Sequence, residues 1–248
     1  MKAPEKIVSH IVEWLKDYQR KSKMNGFVVG VSGGIDSAVT STLCSLTNAP
    51  VLCVEMEIHQ DTKQVSRANE HIEWLEGKFD NVTHQNISLT AVFESFVSGL
   101  PTTHKKDEQL LSLANTRARL RMTTLYYFAA LHRYLVAGTG NKVEDFGVGF
   151  YTKYGDGGVD ISPIADCNKS EVWEIGKSIN ILQEIIDAAP TDGLWDDGRT
   201  DEGQLGLKYE ELEEAMNNVN SINREKYEKI RKMNLHKMEP IPVCKIPN

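Results

Sequence analysis

No apolar run in this chain approaches the roughly 18 residues that a membrane-crossing helix needs, so the sequence excludes a helical membrane protein. Cysteine is scarce, with Cys44, Cys53, Cys167 and Cys244 widely separated. None forms a CxxC pair and none has histidine neighbours at metal-ligand spacing. That argues against structural zinc and against a disulfide framework. Such isolated thiols are expected to be small buried hydrophobes in a reduced, cytoplasmic protein. From Met1 to Lys16 charges interleave with apolar side chains, where a secretory signal would need an unbroken apolar stretch. Internal repeats and low-complexity segments are lacking. Positive charge is in deficit, 28 Lys+Arg against 35 Asp+Glu for a net charge of -7, which speaks against a chain that coats nucleic acid through net charge. What is present is an ordinary globular balance, 40% hydrophobic and 25% charged, which excludes a disordered chain.

The apolar pattern alternates between two periods. Helical spacing is expected over Pro4 to Lys21, Ile35 to Leu46, Asp61 to Lys78, Ser88 to Ser98 and Glu108 to Arg133. Between these lie short strand-like runs, Gly26 to Val31, Pro50 to Met56, Val82 to Ile87 and Tyr134 to Gly138. The valine-rich first run reads as a strand buried on both faces. Strands alternating with helices imply an α/β fold, an open parallel sheet with helices on both faces. After about Asn141 the texture changes. Gly147 to Gly158 and Thr191 to Gly206 are long polar stretches, expected to act as lids or binding loops rather than to pack a core. Tyr209 to Met216 and Ile222 to Met233 return to helical spacing, and the proline-rich tail after Pro240 is expected to be extended.

The most informative residues are Gly30, Val31, Ser32, Gly33, Gly34, Ile35, Asp36 and Ser37, set between the first strand and a helix. Paired glycines let the backbone approach a ligand, and the free amides of the loop and helix start converge on one spot. That spot attracts phosphate, and Ser32 and Ser37 add hydroxyl donors. An anion at Asp36 fits beside phosphate if a divalent cation sits between them. The loop lacks both the lysine of the common triphosphatase loop and the GxGxxG dinucleotide fingerprint. In an open parallel sheet ligands bind beyond the carboxyl ends of strands, which brings Thr139 and Glu144, after the fourth strand, to the same crevice. Arg117, Arg119 and Arg121 crowd one helix and suit anionic ligands; Arg117 and Arg121, four apart, share a face. A glycine-rich segment, Phe150 to Asp160, carries Lys153 and Asp156.

The Ser32 to Ser37 motif resembles the SGGxDS pyrophosphate loop of the ATP pyrophosphatase group. With Asn115 to Arg121, Lys153 to Asp160, Pro190 to Trp195, Thr200 to Gly206 and His236 to Pro242 in this order, the chain resembles ammonia-dependent NAD synthetase from about Lys6 to Pro242. The resemblance implies a single domain over residues 1–248 with an adenine-nucleotide α-hydrolase-like, Rossmann-like fold. It implies amidation of nicotinate adenine dinucleotide to NAD⁺ at the expense of ATP, by way of an acyl adenylate, with release of AMP and pyrophosphate. It assigns Gly30 to Ser37, Thr139, Lys169 and Thr191 to ATP, Asp36 and Glu144 to Mg²⁺, and Arg119, Lys153, Asp160, His236 and Lys237 to the deamido dinucleotide. Asp156 is the candidate group acting on ammonium. A homodimer is implied, with no nucleic-acid or membrane partner. The chain has no room for the glutaminase domain of glutamine-dependent relatives, which implies free ammonia or ammonia from a separate protein. Two departures stand out: Pro-Thr-Asp-Gly-Leu where the family usually reads Pro-Thr-Ala-Asp-Leu, and Arg117 where it commonly has lysine. The alternatives are another adenylating amidotransferase, a tRNA-modifying ligase with the same loop, or a nucleotide-binding sensor without catalysis.

Overall fold

The computed structural model describes residues 3–191, 193–195 and 199–247. Helix α1 (Pro4–Ser22) starts with proline in its first turn, where a missing N–H costs nothing. It leads into β1 (Gly26–Gly30), α2 (Ile35–Ser45), β2 (Val51–Glu57), α3 (Thr62–Lys78), β3 (Val82–Ser88), α4 (Thr90–Ser98), α5 (Lys106–His132) and β4 (Tyr134–Val136). Beyond them lie a π-helical turn (Val143–Val148), α6 (Lys169–Ser178), α7 (Gln183–Ile186), α8 (Asp201–Leu205), α9 (Tyr209–Asn217) and α10 (Arg224–Met238). The strands form one parallel sheet in the order β3-β2-β1-β4. Phe27 pairs with Val51 on one side and Leu135 on the other, so β1 is central.

Alternation of side chains along β1 and β2 builds two cores, one on each face. Phe27, Val29, Val51 and Cys53 pack with α1, α2, α3 and α6 through Leu15, Leu43, Leu75 and Ile175. Val28, Leu52, Val54 and Met56 pack with α4 and α5 through Phe93, Met122 and Leu125. Helices thus cover both faces, as the alternating pattern implies. Among the described residues no helix is long and apolar enough to cross a membrane.

The region after Asn141 departs from the expectation of coreless loops. Val143 and Val148 of the π-helical turn join Leu205, Leu207, Tyr209, Leu212 and Tyr227 in a third apolar cluster. Tyr209, Leu212 and Tyr227 come from the stretches read as helical, whereas Val143, Val148, Leu205 and Leu207 are isolated apolar residues in polar sequence with no period to announce them. The thiols also split: Cys44, Cys53 and Cys167 are buried, but Cys244 is exposed because the tail beyond α10 packs on nothing that covers it.

On the α3 face, His71 is fully buried, stacked on Trp74 and paired through Nε2 with the Ser41 hydroxyl at 3.0 Å. Burial pushes its pKa down to about 4 from 6.5, against a smaller upward pull from the Ala38 backbone. Above pH 6.5 neither folded nor unfolded chain holds this proton. As pH falls from 6.5 toward 4 only the unfolded chain binds it, so stability should drop by on the order of 3 kcal/mol and then level. Urea unfolding at stepped pH should show this slope in the native chain and a shallower one in His71→Gln.

Candidate active site

The loop from Gly30 to Ser37 closes on itself. The Ser37 hydroxyl donates to the Gly34 carbonyl at 2.9 Å and accepts from the Ser32 amide at 3.2 Å. Gly33 has φ +78, and a Cβ there would stand 2.5 Å from the Gln64 carbonyl of α3, so this position admits only glycine without a shift of α3. All eight loop residues line one cleft at the carboxyl ends of β1, β2 and β4. Thr139, Glu144, Asp156, Lys169 and Thr191 line it too.

On the β4 side of the cleft stands a buried ionic cluster. Lys169, in the first turn of α6, is 2% exposed and donates to Asp36 at 2.5 Å and Glu144 at 3.1 Å. A lysine at a helix N-terminus opposes the helix dipole, and the two carboxylates outweigh that cost. Asp36, in the first turn of α2, sits where the dipole favours an anion. Glu144 is carried by the π-helical turn, a distortion common at functional sites. Asn141 ties the parts together. Its side-chain amide donates to Asp36 at 3.1 Å, and its carbonyl oxygen accepts from the Val143 and Glu144 amides. The Tyr209 hydroxyl of α9 donates to Glu144 at 2.5 Å and Asp201 at 3.2 Å. From α10, Arg231 donates to the Phe146 and Gly147 carbonyls and Asn234 to that of Val148, so the turn's free carbonyls are met.

Electrostatics follow from this geometry. Burial pushes the Asp36 carboxyl up, and Lys169 pulls against it while Glu144 adds to the rise. Burial alone would lower the Lys169 pKa, but Asp36 and Glu144 more than reverse that, so the ammonium stays charged. Two carboxylates against one ammonium leave surplus negative charge facing the cleft. Such hard oxygen donors fit a divalent cation that shares its remaining sites with phosphate. The described residues hold no cluster of three or more histidine, cysteine or acidic side chains arranged for a metal.

Nearby, Asp145 also lines the cleft, and its carboxylate stands about 2.2 Å from where a Gly140 Cβ would be. Burial first, then Glu144 and Asp156, pushes it up to about 8. Asp156 accepts from the Thr152 amide at 3.0 Å.

The residues expected on the dinucleotide gather elsewhere, outside the cleft lining. Arg119 donates to the Lys153 carbonyl at 3.3 Å, Lys153 to the His236 carbonyl at 3.2 Å, and Lys237 to the Tyr151 carbonyl at 2.8 Å. Asp160 accepts from the Val136 amide at 2.9 Å and the Tyr126 hydroxyl at 3.0 Å, which brace β4 against α5. Arg117 is buried, donates to the Leu194 carbonyl at 2.9 Å and lies over the Phe93 ring. Asp192, the changed position in the Pro-Thr-Asp-Gly-Leu segment, lies outside the described residues. Asn141, Asp145, Asp201 and Tyr209 were not legible as site residues; only the strand-end position of Asn141 carried any signal.

A glycine loop between strand and helix, an acid in that helix's first turn and a cleft across the strand ends define an α/β nucleotide-binding site of the adenine-nucleotide α-hydrolase-like fold. The family model for NAD synthase matches residues 7–246. An NH₃-dependent NAD⁺ synthetase from Carboxydothermus hydrogenoformans is 37% identical over 213 residues, 84% of each chain. Among solved structures, an NMN synthetase from Francisella tularensis superposes with a TM-score of 0.89 at 31% identity, over 99% of this chain and 100% of that one. An NH₃-dependent NAD synthetase from Campylobacter jejuni gives 0.78 at 25%, with the same coverage. The chain belongs to the NAD synthase family, and so to the carbon–nitrogen ligases.

Removing one member of a buried ion pair strands the other, typically at about 3–5 kcal/mol. Lys169→Met should therefore destabilise the protein by about that much, and adding Asp36→Asn should restore part of the loss. Chemical denaturation of the two single variants and the double variant measures this.

Proposed function

We propose that this chain is an ammonia-dependent NAD⁺ synthetase, a single catalytic domain that amidates the nicotinate carboxylate of deamido-NAD⁺. The observation that carries the reading is the cleft itself, where a phosphate-binding loop faces an acid–lysine–acid cluster. The carboxylate must first be activated, since oxide is a poor leaving group. Its oxygen attacks the α-phosphorus of ATP, the bond to the β-phosphate oxygen breaks, and an acyl adenylate and pyrophosphate form. The amides of Gly33 and Gly34 and the α2 N-terminus hold the departing pyrophosphate, and Lys169 supplies positive charge beside it. Asp36 and Glu144 would hold Mg²⁺, which when bound neutralises phosphate charge. Ammonia then attacks the acyl carbon, AMP leaves, and one proton must be taken up. Asp156, at the cleft wall, is the group assigned to position ammonia and remove that proton. Arg119, Lys153, His236 and Lys237 form the basic patch assigned to the dinucleotide. This reading makes the protein a cytoplasmic enzyme of small-molecule metabolism.

The test is pyrophosphate release and NAD⁺ formation from ATP, deamido-NAD⁺ and ammonium. Turnover should rise with pH near neutrality as neutral ammonia increases, glutamine alone should give none, and Asp36→Asn should lose activity by at least about a hundredfold. Pyrophosphate release without dependence on the dinucleotide would instead favour another adenylating ligase of the group.

The Francisella likeness favours a second reading, in which nicotinate mononucleotide is amidated to NMN. The chemistry at the carboxylate is the same, and competition between the two acids at equal concentration decides between them.

A homodimer is the proposed assembly. Helices α4 and α5 leave Val92, Phe96, Leu110, Leu111, Tyr127 and Leu131 exposed, apolar side chains that a second copy would cover. Sedimentation should give twice the mass of one chain, and the double variant Tyr127→Glu with Leu131→Glu should sediment as a monomer.

A further inference from the structure

The cleft has two arms that meet at the glycine loop. The arm on the β4 side holds Asp36, Glu144, Asp145, Asp156 and Lys169, the charged groups used above. The arm on the β2 side is different. Met56, Met122 and Leu125 give it an apolar wall, and Gly30 flattens its floor. A Cβ on Gly30 would meet Met56 Cε at 3.2 Å and Leu125 Cδ1 at 3.4 Å, so glycine lets these two side chains close against the strand end and keeps this wall apolar. A nucleotide anchored by its phosphates at the loop, with its reacting phosphorus toward the charged arm, would direct its base along this apolar wall. A planar base needs apolar faces and few polar groups at its edge.

One polar group in this arm has no structural explanation. Glu55 lies near the carboxyl end of β2, on the opposite pleat face from Met56, and both line the cleft where the strand ends. The residue is 5% exposed and borders the cleft, and its carboxylate makes no hydrogen bond or salt bridge among the described residues. Its neighbours do not replace one. Arg121 is turned to the Met56 carbonyl, to which its Nε donates at 3.0 Å, and Glu57 adds repulsion. Burial first, then Glu57, pushes the Glu55 carboxyl up to about 7, against the pull of Arg121. A carboxylate at the cleft wall with no protein partner leaves its acceptor sites to a donor that enters the cleft. A hydrophobic residue would suit the strand better, as Val54 and Cys53 show beside it.

We infer that Glu55 is a specificity-determining residue that reads the base, its carboxylate accepting a hydrogen bond from the exocyclic amine of a 6-aminopurine and so selecting ATP over triphosphates without that amine. This rests on the assignment of ATP to the cleft. Glu55 touches the base and not the reacting atoms, so its effect falls on KM and binding rather than on kcat.

The experiment compares ATP with purine riboside triphosphate, which lacks only the 6-amino group. Two readouts are taken: kcat/KM for pyrophosphate release with ammonium and the dinucleotide, and equilibrium binding of the α,β-methylene analogue of each nucleotide. The native chain should prefer the aminopurine roughly ten- to hundredfold, the range for a hydrogen bond to a charged acceptor. Glu55→Leu should bring the ratio to about one. Glu55→Gln keeps an acceptor of similar reach without the charge, and should give a ratio between the two. Thermal melting of each variant reports folding. A wild-type ratio in Glu55→Leu overturns the inference, as does a wild-type ratio in Glu55→Gln if the leucine variant does not fold. If pyrophosphate release fails with every nucleotide while the binding ratios behave as stated, the functional reading is wrong and the role of Glu55 stands.

Discussion

Everything at the β4 end of the sheet hangs on one buried ammonium. Lys169 reaches from the start of α6 to an acid on α2 and an acid on the π-helical turn, so three segments far apart in sequence converge on a single Nζ. Low dielectric makes each of these contacts strong and each missing partner costly. The surrounding hydrogen bonds serve the same end. Asn141 holds Asp36 and the turn that carries Glu144, and Tyr209 fixes Glu144 from the far side. A cluster so fully specified has one geometry, and phosphate chemistry needs its charges placed before the substrate arrives.

The two halves of the molecule were unequally legible. Up to Tyr134 the chain alternates valine-rich runs with amphipathic helices, and burial on both faces of β1 leaves an unbroken apolar run that marks a parallel strand. The glycine loop was legible for a similar reason: its chemistry is local, packed into eight consecutive residues. In the second half only Tyr209 to Met216 and Ile222 to Met233 keep a helical period, and α9 and α10 form there. The π-helical turn depends on Arg231 and Asn234, more than eighty residues downstream, and no local signal announces it. The third apolar cluster is likewise assembled from scattered residues around Tyr209.

Site residues divide along the same line. Asp36 and the loop follow from a contiguous motif, and Thr139 and Glu144 from the strand-end rule. Lys169 came only through family likeness, since a lysine at a helix start looks like any solvated charge until two carboxylates are seen on it. Asp160 has a different standing. Its contacts to Val136 and Tyr126 brace the last strand against α5, contacts that composition does not announce.

Gly140 and Asp145 illustrate how a void and a side chain can be one feature. The carboxylate of Asp145 fills the volume that a side chain at position 140 would claim. Neither position can therefore vary alone. A larger residue at 140 must evict the acid, and a smaller one at 145 opens a hole beside Glu144. For anyone redesigning the charge of this cleft, the two positions are a single choice with two letters.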